Sequence, residues 1–133
     1  MEIRVQFRGL HLLKREGVAT RAEVLGWIKK FLGEHNFEGN LEIVFLNTPT
    51  ITHPEMGGVV GVCDYKARKI EVALGYPGQP RSVAELMRTI VHELDHLLWE
   101  FEGLPWDYAP EYWERKHEIR ARARAAQFAR EGE

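Results

Sequence analysis

The residues best equipped for chemistry lie in one run, His92-Glu93-Leu94-Asp95-His96. Two histidines four positions apart stack on one side of a helix, so both imidazoles can reach a single ion from a rigid element. Glu93, turned from His92 by about 100° on the same helix, borders that side. It can stand beside a metal without binding it and take a proton from a water that the metal activates. Given the histidine and glutamate content, such a run is expected by chance roughly 0.03 times in a chain of this length. The plain alternative is a pair of solvated histidines on the polar face of an amphipathic helix.

A catalytic zinc takes three protein ligands and leaves one position open. The downstream candidates for the third are Glu111, Glu114, His117 and Glu118. Glu118 aligns with Ala121, Ala125 and Ala129 on one helical face, and small side chains there let a second helix approach closely. The expected set is therefore Zn2+ held by His92, His96 and Glu118, with Glu93 as general base. His117 and Glu114 are the next choices; the alternative for each is a solvated charge.

Several elements must position these groups. Ser82 with Glu85 three residues on forms a capping box that starts a helix running to about Phe101. Its apolar residues, among them Leu86, Ile90, Leu94 and Leu97, gather opposite the two histidines. A last helix is expected from near Pro110 to about Arg130. Upstream, residues 3–7 alternate as a half-buried strand, Thr20 and Glu23 cap a helix ending near Gly33, and Leu41–Leu46 reads as a strand. Val59–Tyr65 and Lys69–Leu74 flank the turn Lys66-Ala67-Arg68 as a hairpin. The order β-α-β-β-β-α-α implies one α+β domain over residues 1–133, with helices packed on a small antiparallel-rich sheet.

The hairpin, the run Thr89–Leu98 and Glu118-Ile119-Arg120-Ala121 together resemble the zincin metallopeptidases. The glutamate-zincin (gluzincin) branch is the nearer, above all the minimal ImmA/IrrE-like and phage peptidases. The resemblance covers about residues 58–129, with Arg120 standing where the family often has an acidic residue. It implies a zinc metallopeptidase acting on a peptide or protein, and an edge strand before the active-site helix that pairs with extended substrate. Lys69–Leu74 is the matching segment. His-Glu-Leu-Asp-His-Leu is also similar to a motif of peptide deformylases, which would make Cys63 the third ligand. Yet Gly61-Val62-Cys63-Asp64-Tyr65 lacks the flanking Glu and Ser of those enzymes, and a strand cysteine is usually a small hydrophobe. A non-catalytic zinc-binding regulator or virion protein is a further alternative.

Composition narrows the setting. The 133 residues with 44% hydrophobic content can fill one core. A net charge of −2 argues neither for nor against nucleic acid. The single cysteine and the absence of a long apolar run point to a cytoplasmic, membrane-free protein. Arginines crowd the last helix, as a solvated face commonly does and a phosphate-binding face less often. Trp99, Trp106, Tyr108, Tyr112 and Trp113 are expected mainly to pack the helical connection, with a pocket wall or an oxyanion-directed tyrosine as the lesser reading.

Overall fold

The computed structural model describes residues 2–131. Its elements, in order, are β1 (Ile3–Arg8), α1 (Leu10–Glu16), α2 (Arg21–Glu34), β2 (Gly39–Leu46), β3 (Ile51–His53), β4 (Gly57–Val59), β5 (Gly61–Asp64), β6 (Lys69–Ala73), β7 (Gly75–Tyr76), β8 (Gln79–Pro80), α3 (Val83–Phe101) and α4 (Lys116–Glu131). The fold is mixed α+β. Both capping boxes form: the Thr20 and Ser82 hydroxyls accept from the amides of Glu23 and Glu85, whose carboxylates bond back. Helix α1 was not anticipated, because its seven residues are too short to show a helical period.

The main sheet has the order β1-β2-β6-β5. β1 pairs in parallel with β2, and β2 in parallel with β6; only β5, Cys63 opposite Ile70, is antiparallel. The antiparallel-rich expectation is thus corrected for this sheet, although the small ribbons β3–β4 and β7–β8 are antiparallel. Two helices fill the connection from β1 to β2, the length that a parallel crossover needs. The expected hairpin forms between Gly61–Asp64 and Lys69–Ala73, whereas Val59, expected to start its first strand, pairs instead with Ile51 of β3, and β6 lies between β2 and β5. Lys69–Ala73 therefore has both edges occupied and is no free edge for substrate. The edge strand at that end of the sheet is β5.

Leu41, Ile43 and Phe45 of β2 alternate inward with Ile70 and Val72 of β6. They meet Val24, Ile28 and Phe31 of α2 and Leu86, Ile90, Leu94 and Leu97 of α3 in one core, which also takes Ala125 and Phe128 from α4. Among the described residues no helix is long and apolar enough to cross a membrane.

Candidate metal centre

From Thr89 to Trp99 every residue of α3 except His92 is buried. The side of α3 that carries the histidines does not face solvent, because α4 covers it. α4 is held there by its buried Ala121, Ala125, Phe128 and Ala129 and by an electrostatic clamp. Asp95, 0% exposed, accepts a hydrogen bond from Arg120 Nε at 2.9 Å and another from Arg124 Nη1 at 2.8 Å. Arg120 also reaches Glu102 at 3.2 Å and lies over the Trp99 ring. A buried carboxylate is tolerable only when paired and hydrogen-bonded, and here each oxygen takes one guanidinium. Arg120 stands two residues beyond Glu118, so this clamp fixes where Glu118 meets α3.

The result is a tight constellation. His92 Nε2 lies 2.9 Å from Glu118 Oε1, and His96 Nε2 lies 2.9 Å from Glu118 Oε2. One ligating atom from each of the three falls within 4.8 Å of the other two. Glu118 occupies the first turn of α4, where the helix dipole favours a carboxylate. Burial alone would raise its pKa, but hydrogen bonds from His92 and His96 and their charge hold it far below the usual carboxylate range. For His96 burial opposes protonation, yet Glu118 and the charges of Glu93 and Asp95 outweigh it and raise the pKa. Two imidazole nitrogens and one carboxylate form a donor set that suits zinc, so the residues present fit such an ion. Among the described residues, buried His96 Nδ1 has no hydrogen-bond partner.

Glu93 is buried beside this trio and outside it. It packs against β5 at Gly61, where an added Cβ would lie 2.7 Å from Thr89 Cγ2 and 3.1 Å from Glu93 Cγ. Only glycine lets the edge strand come this close to the acidic side chain. Two cavities share Glu93 and Glu118 as walls. The one on the His92 side is about 450 Å³ and runs beneath Val59, Val60 and Trp113. The one on the His96 side is about 110 Å³ and is enclosed by Tyr65, Trp106, Tyr108 and His117.

The other sequence candidates fall elsewhere. Glu111 and Glu114 are exposed around a 3-10 turn (Tyr112–Glu114), and Arg115 is extended, so α4 starts at Lys116 rather than near Pro110. His117 is buried, but its Nε2 is 3.9 Å from Glu118 Oε2, and its ring packs 4.7 Å from that of Trp106. Burial, then the neighbouring His96, lowers its pKa. Cys63 is not in the ligand trio. Its thiol pKa is pushed well above the ordinary value by burial and by the charges of Glu93 and Asp64. The aromatic residues divide between packing and the cavities. Trp99 donates to the Pro105 carbonyl and packs near His117. Tyr112 lines both cavities, and burial followed by the charges of Glu118 and Glu93 raises its phenol above the ordinary range. Sequence reasoning missed the Asp95 clamp and the role of Gly61. The clamp had a signal in the acidic residue within the histidine run and the basic residues after Glu118; Gly61 had none.

Compared with family models, with curated proteins and with solved structures, the chain matches none.

Proposed function

We propose that this chain is a zinc-dependent metallopeptidase in which His92, His96 and Glu118 hold the metal and Glu93 is the general base. The observation that supports this most is the convergence of two imidazoles and a buried carboxylate from a second helix, with Glu93 adjacent and not coordinating. When bound, zinc would act as a Lewis acid, lowering the pKa of a coordinated water and polarising a carbonyl. Glu93 accepts the proton of the attacking water and returns it to the leaving amine. Its burial against Gly61 fixes the carboxylate between the histidine run and the strand edge. An extended peptide can add to the sheet at β5, where backbone hydrogen bonds supply affinity without regard to sequence. Tyr112 lines the cavity beside Glu93 and Glu118 and is the proposed hydrogen-bond donor to an oxyanion.

The test combines metal content with turnover. Purified protein supplied with zinc should hold about one ion per chain and hydrolyse a generic peptide pool, with chelator abolishing the activity. Glu93→Gln should keep the metal and lose turnover. Metal without turnover in the unaltered protein would leave a non-catalytic scaffold as the reading, and loss of metal in Glu93→Gln would remove its assignment as base.

A further inference from the structure

The larger cavity has a charge pattern that hydrolysis itself does not require. Arg88 lines it from α3, one turn before His92, and Arg122 lines it from α4, one turn after Glu118. Among the described residues neither guanidinium forms an ion pair, whereas Arg115, Arg120 and Arg124 are all paired with carboxylates. Arg122 is also held in place. Its Nη2 donates to the Trp113 carbonyl at 2.6 Å, and its guanidinium lies 5.6 Å from the centre of the Trp113 ring. Its Nη1 is buried and has no hydrogen-bond partner among the described residues. The guanidinium is thus anchored at the cavity wall with N–H groups that no carboxylate of the described residues takes up. Val59, Val60, Ala125 and Ala126 make the apolar part of the wall, and Glu93 and Glu118 close the cavity at the end where the histidines lie.

From this we infer that the cleft on the His92 side binds a substrate carboxylate, gripped by Arg122 and attracted by Arg88. The inference rests on the peptidase reading and names its substrate class: a peptide with an anionic group on that side of the cleaved bond. A guanidinium fixed by a ring and a carbonyl can make a charge-assisted hydrogen bond to a carboxylate with a remaining N–H, and the second arginine raises the local concentration of anions. The carboxylate can come from an acidic side chain or from the peptide's C-terminus. A nucleic-acid phosphate fits less well, since the neighbouring arginines of α4 are spent on Asp95 and Glu102 and leave no basic track along the helix.

The experiment uses zinc-loaded full-length protein and matched short peptides. One pair differs only by Glu against Gln, scanned through the positions flanking the scissile bond; the other differs only by a free acid against an amide at the C-terminus. Catalytic efficiency is read on the unaltered protein and affinity, by calorimetry, on Glu93→Gln, so the binding result stands even if no peptide is cleaved. One anionic peptide should be favoured about tenfold or more over its neutral partner, as expected of one charge-assisted pair. Which pair shows the effect identifies the source of the carboxylate. Arg122→Gln should erase the preference, so that the two peptides of the pair bind alike, and Arg88→Gln, at an exposed helical position, should weaken it. Equal binding of acid and neutral peptides, no measurable binding of any peptide, or a preference that survives Arg122→Gln would overturn the inference. So would a single-stranded oligonucleotide that binds more tightly than the best peptide and depends on Arg122.

Discussion

Replacing Asp95 with Asn keeps the side chain's shape and removes the charge on which α4 is seated. The carboxylate is fully buried and takes one guanidinium on each oxygen, at 2.9 Å and 2.8 Å. An Asn offers one acceptor and turns an amide donor toward the other arginine. Breaking a buried ion pair by removing one partner costs about 3–5 kcal/mol. Here the side chains of Arg120 and Arg124 are 20% and 28% exposed, so water recovers part of their charge, and the lower bound of about 3 kcal/mol applies. For 133 residues, an unfolding entropy of about 2.1 cal/mol/K per residue amounts to about 0.28 kcal/mol/K, and the melting midpoint should fall by about 11 °C. Differential scanning calorimetry with EDTA present isolates the clamp from any contribution of bound metal. Zinc titration of the folded variant is the second readout. Because Arg120 lies two residues past Glu118, affinity should fall by about 10-fold or more, as when the supports of metal ligands are removed. A loss below about 1 kcal/mol, the scale of an exposed pair, together with unchanged zinc affinity, would refute the idea that Asp95 seats the third ligand.

Glu118→Ala removes one of three ligands and should weaken zinc by well over the roughly 100-fold typical of supporting residues. Cys63→Ala should leave metal and activity intact at a packing cost of about 1 kcal/mol, and zinc titration of both variants would expose the reverse pattern that a deformylase-like site demands. Gly61→Ala introduces a methyl 2.7 Å from Thr89 Cγ2 and 3.1 Å from Glu93 Cγ. It should cost about 1–3 kcal/mol in overpacking and, by displacing the base, lower kcat by about 100-fold, with zinc content unchanged. Full activity in that variant would mean that the approach of β5 to Glu93 has no catalytic consequence.

Much of the histidine-bearing helix was legible because its signals are local. The Ser82 and Thr20 boxes depend on residues three apart, and the histidine pair depends on a spacing of four; both are set by helical geometry wherever the helix lies. Glu118 was reachable too, since its alanine face announces a close helix neighbour, although sequence left His117 and Glu114 as rivals. Tertiary structure decided what depends on distant partners. Strand order is one case: β2 inserts beside β6 from more than twenty residues upstream, so a hairpin that reads as self-contained becomes interior and passes its edge to β5. The burial of the histidine face is another. The wheel of α3 alone places that face in solvent; the Asp95 pairing with Arg120 and Arg124, across 25 and 29 positions, and the burial of Ala121 and Ala125 bring α4 over it. Periodicity fixes which side chains share a face, while long-range pairing fixes what that face meets.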